Sequence, residues 1–244
     1  MTRSTPRDFP YSILWNYVEE LTQDETDNCN ISNTIGPFID ENGIVCLGNY
    51  NRYWQHYQVR NPDFDDYSDL ILEVKKKNKD AINKFIEFHE NILFQLFSSV
   101  ALATVPSSKA EKEINGIREV AMGWYCLEDT VHLNNHVFDL TDLFVRHTTI
   151  KSSHSGGSRT IKTHMDSIKT AYTLVQAKQL QRERPQPPRR MDDDVPLWII
   201  DDVTTSGSSL LACRKIALKA GFSKIILMAL GKTVGKPEIL IDWN

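Results

Sequence analysis

The sequence predicts an α/β protein: a central parallel sheet flanked by helices, with a small mixed lobe at the N-terminal end. Two observations carry this. Short apolar runs, "SVALATV", "LWII" and "KIILMAL", alternate with stretches of helical apolar spacing, and strands that alternate with helices form parallel sheets covered on both faces. The first 77 residues are different. They are punctuated by the turn-forming "GPFIDENG" and "NPDFDD", carry aromatic-rich pieces such as "YNRYWQHYQ", and show no dominant period. The expected division is a lobe over residues 1–77 and an α/β domain over residues 78–244.

Taken in order, Asn78 to Phe97 place Ile82, Phe85, Ile86, Phe88, Ile92, Leu93 and Leu96 at helical spacing. "SVALATV" reads as a strand stopped by Pro106, after which "KAEKEINGIREVA" resumes as a helix. Leu143 to Thr149 reads as a strand. Lys151 to Arg159 is polar and contains glycine, so a loop with little apolar surface to hold it down is expected there. A helix is expected from about Thr160 to Gln181, followed by the proline-broken, charged connector "RERPQPPRRMDDD". The last unit is strand "LWII", a loop, helix "SLLACRKIALKAG" and strand "KIILMAL". Leu210, Cys213, Ile216, Ala217 and Ala220 share one face of that helix, and Gly221 is placed to cap it.

Composition narrows the function classes. A formal net charge of -4 argues against broad non-specific nucleic-acid binding, and the basic runs Lys75 to Lys77 and Arg182 to Arg190 read as solvated surface. The four cysteines, Cys29, Cys46, Cys126 and Cys213, form no C-x-x-C pair, which points away from a zinc ribbon or a disulfide framework and toward free thiols in a reducing compartment. "MTRSTPRDFPYSILWNYVEE" lacks an apolar signal core, and no run approaches the ~20 apolar residues that span a bilayer. A cytoplasmic protein without a membrane partner is expected; a homodimer stays open.

The stretch "VPLWIIDDVTTSGSSLLACRKIALKAG", Val195 to Gly221, carries the chemistry. In an open parallel sheet, ligands bind beyond the carboxyl ends of the strands, where Asp201 and Asp202 fall if "LWII" is a central strand. Thr204, Thr205, Ser206, Ser208 and Ser209 surround Gly207, whose missing side chain lets the backbone approach a ligand. The loop also opens a helix, so unpaired N–H groups and the positive dipole end converge on one point, as in a phosphate cradle. Adjacent carboxylates accept hydrogen bonds from vicinal sugar hydroxyls. One ribose 5-phosphate would satisfy both halves of the stretch. The plainer reading is an acidic pair that only caps the following loop.

"IIDDVTTSGSS" resembles the phosphoribosyl-pyrophosphate-binding motif of type I phosphoribosyltransferases: apolar run, acid, Asp, apolar, any residue, Thr, Ser or Thr, Gly, any residue, Ser or Thr. That resemblance implies the family's α/β fold, with Asp201 and Asp202 on the ribose hydroxyls, Val203 and Thr204 between, and Thr205, Ser206, Gly207, Ser208 and Ser209 around the 5-phosphate. "ATVPSSKAEKE" is similar to the pyrophosphate loop of the competence-protein F-like branch, which gives Pro106, Ser107, Ser108 and Lys109 the pyrophosphate end. Lys151 to Arg159 falls where the family's flexible loop would, and Lys151 and Arg159 would neutralise pyrophosphate. The implied reaction transfers ribose 5-phosphate from phosphoribosyl pyrophosphate to a nitrogen acceptor, with Mg2+ bridging the pyrophosphate oxygens. The branch's zinc ribbon is missing from this sequence, and a base-binding hood would have to come from residues 1 to about 75.

Rival readings come from other motifs. A non-catalytic sensor or regulator that keeps the fold to bind a ribose phosphate or nucleotide shares every binding residue. "ALGKT" suggests a nucleoside triphosphatase, but Ile226 stands where a P-loop needs its first glycine. His132 and His136 have metal-ligand spacing, yet Leu133 replaces the glutamate expected after the first histidine. His164, Asp166 and Ser167 hold the residue types of a hydrolase triad, crowded on one short segment without a G-x-S-x-G elbow.

Overall fold

The computed structural model describes residues 37–54, 59–96, 99–110, 115–131, 136–150, 160–183 and 191–234. In chain order they form strands β1 (Phe38–Ile39), β2 (Ile44–Cys46) and β3 (Asn49–Tyr50), helices α1 (Asp66–Lys75) and α2 (Lys79–Leu96), and strand β4 (Ser99–Thr104). Helix α3 (Gly116–Val131), strands β5 (His136–Asp139) and β6 (Phe144–Arg146), helix α4 (Ile161–Met165) and strand β7 (Ile168–Thr170) follow. The chain continues through α5 (Leu174–Glu183), β8 (Leu197–Thr204), α6 (Ser208–Lys219) and β9 (Ile225–Thr233).

The expected α/β class is present. One sheet runs in the order β1-β2-β9-β8-β4-β5, with β3 continuing beside β9 beyond β2. All its pairs are parallel except β1 with β2. β6 and β7 form a separate antiparallel pair. Along β8 the side chains alternate between two cores, because successive residues of a strand point to opposite faces. Trp198 and Ile200 pack with Ile71, Val74, Phe85, Val120 and Trp124 of α1, α2 and α3. Leu197 and Ile199 pack with Ala177, Leu210, Cys213 and Ala217 of α5 and α6. Each large apolar side chain removed from water in this way contributes about 1.5–3 kcal/mol.

The described part of the segment expected as a lobe pairs with the main sheet. β2 and β3 lie along β9, with Ile44 opposite Leu227 and Tyr50 opposite Thr233, and α1 shares the core of α2 and α3. Among the described residues, β2 and β3 therefore extend the main sheet and α1 packs with α2 and α3. "NPDFDD" read as turn punctuation, and in fact ends in a helix start: the Asp65 carboxylate accepts from the N–H of Ser68 at 2.7 Å and caps α1.

The long helix expected over residues 160–181 is three elements. Thr160 caps α4 by accepting from Thr163 N–H at 3.2 Å. The β-branched Ile168 and Thr170 then pair in β7 with Arg146 and Phe144. α5 restarts at a reciprocal cap, in which Thr173 Oγ1 accepts from Gln176 N–H at 3.4 Å and Gln176 Oε1 accepts from Thr173 N–H at 2.8 Å. The strand expected over residues 143–149 is shorter, Phe144–Arg146, and it pairs with β7 rather than with the main sheet. His136 opens β5 beside β4.

α1 and α3 touch end to end through a glycine. A Cβ at Gly116 would lie 1.8 Å from the Val74 carbonyl oxygen, far inside contact distance. Gly116→Ala should lower the midpoint of urea denaturation by the equivalent of about 1–3 kcal/mol, the usual cost of forcing atoms into a packed site. An unchanged midpoint would mean that the two helices are not held this closely.

Candidate functional site

The sheet fixes where a cleft can form. From β4 the chain crosses through α3 on one face to β5, whereas β8 leads into α6 on the other face. The connections therefore part between β4 and β8, which is where open α/β sheets bind ligands. The strands also end at different heights. β4 pairs with β8 only as far as Thr104 opposite Ile200, while β8 continues beside β9 until Thr204 lies opposite Lys232. Asp201 to Thr204 thus project past β4, and a cleft of about 360 Å3 opens there.

Its lining contains Asp201, Asp202, Val203, Thr204, Thr205, Ser206, Gly207, Ser208 and Ser209 on one side and Pro106, Ser107 and Ser108 on the other. These two stretches of the sequence expectation meet across the cleft. Lys109 does not join them: it is exposed, outside the lining, and its carbonyl accepts from Ser107 Oγ at 3.2 Å. Lys151 and Arg159 lie outside the described residues, as does His132.

The two carboxylates straddle the strand. Asp201 turns toward α6, where Ser209 Oγ donates to its Oδ2 at 2.8 Å and Asp202 N–H donates to its Oδ1 at 3.0 Å. Asp202 turns the other way: Val203 N–H donates to its Oδ1 at 2.6 Å, and Lys75 Nζ stands 3.5 Å from the same oxygen. Burial, reinforced by the neighbouring Asp202 carboxylate, pushes Asp201 up from 3.8 to about 7.

Gly207 begins α6 with φ +71, in the left-handed region. A Cβ there would also come within 2.6 Å of Ile44 Cδ1, so glycine satisfies both the turn and the β2 side chain behind it. No side chain caps the helix start, which leaves first-turn N–H groups without that partner where Gly207, Ser208 and Ser209 line the cleft. Ser206 and Ser208 hydroxyls sit 3.0 Å apart, and Thr205 Oγ1 lies 2.9 Å from Thr233 Oγ1.

The sequence reading missed several lining residues: Lys75, Asn115, Arg146, Ile150 and His164 in its role here. Arg146 is 4% exposed. Its guanidinium donates to Ser107 O and Ser167 Oγ, both at 2.5 Å, and to Pro106 O at 3.5 Å. Among the described residues no carboxylate forms an ion pair with it. Burial lowers its pKa, but a guanidinium remains protonated, so a positive charge lies at the wall of the cleft. Burial first, then Arg146, lowers the pKa of His164, which favours the neutral imidazole. His164 Nδ1 and Thr204 Oγ1 are buried without a hydrogen-bond partner among the described residues. Groups of that kind call for a ligand or water. The one sequence signal for Arg146 was a lone arginine inside the apolar "LFVRH".

The rival motifs do not converge. Ser167 Oγ donates to the carbonyls of Thr163 and His164 while accepting from Arg146, so it is a structural link rather than a nucleophile. Gly231 to Thr233 end β9, and Lys232 Nζ is bound to Asp40 at 2.6 Å and Glu41 at 2.9 Å instead of opening a phosphate loop. Among the described residues no helix is long and apolar enough to cross a membrane, and no group of three or more His, Cys, Asp or Glu side chains is placed to hold a metal. No family model matches the chain, and no curated protein matches it.

The position of Asp201 has a pH signature. Its folded pKa lies above its ordinary value, so the native state holds the proton more tightly; its contribution to stability is full below about 3.8, declines as pH rises toward about 7, and stays low above. Asp201→Asn should therefore raise Tm at pH 8 by about 3 °C or more, equivalent to ~1 kcal/mol, and by less at pH 4. Scanning calorimetry at the two pH values checks this, and an equal effect at both would contradict the buried-acid account.

Proposed function

We propose that the cleft binds the ribose 5-phosphate portion of phosphoribosyl pyrophosphate and that the protein transfers it to a nitrogen acceptor with release of pyrophosphate, a type I phosphoribosyltransferase-like activity. The observation that carries this reading is the meeting, at the parting of β4 and β8, of an acidic pair, a glycine-started helix and a buried guanidinium in one cleft. A sugar phosphate with a second anionic group complements all three. The N–H groups and hydroxyls of Thr205 to Ser209 take the 5-phosphate, Asp201 and Asp202 take the ring hydroxyls, and Arg146 with the Pro106 to Ser108 loop faces the pyrophosphate.

In the reaction, the acceptor nitrogen lone pair forms a bond to the anomeric carbon as the carbon–oxygen bond to pyrophosphate breaks and its electron pair leaves with pyrophosphate. The acceptor's proton passes to solvent or to the departing oxygen. The chain's task is to hold the sugar so that positive charge develops at the anomeric carbon beside carboxylates, while the departing charge meets Arg146. Mg2+ belongs to the reading through the pyrophosphate oxygens. The acidic pair itself is ill fitted to ligate it: Ser209 Oγ and Asp202 N–H already donate to Asp201, and Lys75 and Val203 N–H face Asp202.

Calorimetric titration should show ribose 5-phosphate and phosphoribosyl pyrophosphate binding to the wild-type chain. The double change Asp201→Asn with Asp202→Asn should abolish binding while the fold persists; a pair that only caps its loop would instead cost ~1 kcal/mol of stability and leave affinity intact. Arg146→Met should weaken phosphoribosyl pyrophosphate by about tenfold or more and ribose 5-phosphate much less. Pyrophosphate release, assayed with magnesium and a panel of nitrogen bases, separates transfer from sensing: tight binding without release with any base would assign the chain to ribose-phosphate or nucleotide sensing.

A further inference from the structure

The two carboxylates of the cleft differ in their partners, and the difference originates on the α1 side of the sheet. Lys75, the last residue of α1, holds Nζ 3.5 Å from Asp202 Oδ1 and 5.5 Å from the centroid of the Tyr50 ring. Three features hold the ammonium there. The contact between Gly116 and the Val74 carbonyl fixes the end of the helix. The Tyr50 ring offers its face to the cation, and a helix C-terminus favours positive charge. Side chains of Lys75 and Asp202 are each about 30% exposed, so the pair lies at the cleft and not beneath it.

We propose that Lys75 is the built-in counter-cation of the acidic pair, so that a ribose 5-phosphate is held at its ring hydroxyls without a divalent metal ion. This rests on the sugar-phosphate reading above and adds to it the charge that completes the sugar subsite. A divalent ion such as Mg2+ requires several oxygen ligands in near-octahedral order. The pair offers few. Both oxygens of Asp201 already accept hydrogen bonds, from Asp202 N–H and Ser209 Oγ, and Asp202 Oδ1 accepts from Val203 N–H beside the ammonium. Each of these oxygens keeps a second lone pair, so both carboxylates still accept from sugar hydroxyls while lacking the ordered set of free oxygens that a divalent ion needs. Lys75 supplies the positive charge that a metal would otherwise bring, and its remaining N–H bonds are donors for a ring or hydroxyl oxygen. Any magnesium requirement then follows the pyrophosphate group alone.

The test is titration of ribose 5-phosphate into the whole 244-residue chain in EDTA and again in millimolar Mg2+. The wild type should bind with the same affinity in both, within about twofold. Lys75→Met and Lys75→Gln should each lose about tenfold in EDTA, Lys75→Arg should retain most of the affinity, and Lys76→Met, whose ammonium pairs with Glu73, should match the wild type. Thermal denaturation of each variant shows whether the fold is kept, and the Lys75→Gln change preserves most of the stem's packing. Wild-type binding that appears only with Mg2+, or a Lys75→Gln variant that binds normally in EDTA, overturns the proposal and leaves the sugar-phosphate reading standing. Absence of binding in both buffers overturns the two together.

Discussion

The stagger between β4 and β8 is the constraint on which the rest of the site depends. Parallel neighbours that ended level would cover each other's backbone groups and leave a shallow rim. Here β4 stops opposite Ile200 and β8 proceeds with support from β9 alone, which turns the residues after Ile200 into one wall of a cleft. On the opposite wall the last ladder bond runs from Val105 N–H to Ile200 O, and the chain turns away at Pro106, whose ring fixes φ. The carboxylates, the glycine and the hydroxyls are useful only because this step places them where a ligand can reach.

Residues at the step are poorly placed for stability. Burial raises the pKa of Asp201, Arg146 is desolvated, and polar atoms of Thr204 and His164 are buried without partners among the described residues. Each of these costs free energy in the empty protein. The offset comes from below the cleft, where β8, β9 and β4 form a nearly continuous apolar slab, with Trp198, Ile199, Leu102 and Leu230 fully buried between the helical layers. A ligand that supplies hydrogen bonds to the cleft would remove part of the cost and so bind with additional free energy.

Much of this was legible in the sequence, and the misses share a cause. "LWIIDDVTTSGSSLLACRKIALKAG" specified a strand, a turn and a helix by local chemistry, but the strand runs four residues past the expected "LWII", through Asp201 and Asp202 to Thr204, because β9 continues beside it. Helix α1 was missed because Asp65 and its neighbours carry turn composition, although Tyr67, Leu70, Ile71 and Val74 follow at helical spacing. The break of the 160–181 pattern into α4, β7 and α5 was signalled by the Thr173 to Gln176 capping box, which apolar periodicity alone overlooks. Arg146 and Lys75 were hidden for another reason. Each enters the cleft from an element distant in sequence from the motif, and a single basic residue has no local pattern that tells a cleft from a solvated face.

The contact between Ile44 and Gly207 has a consequence for how the molecule comes into being. The glycine turn rests on a strand near the opposite end of the described chain, and that strand joins the rest of the sheet by pairing with β9, Ile44 against Leu227. Closure of so wide a loop carries a large entropic toll before any contact rewards it, so topologies of this type assemble slowly. During synthesis the turn at Gly207 leaves the ribosome before its supporting partner β9 does. The cleft is thus completed late in biogenesis, when β2 closes onto β9 across the sheet, rather than when the residues of the turn have been made.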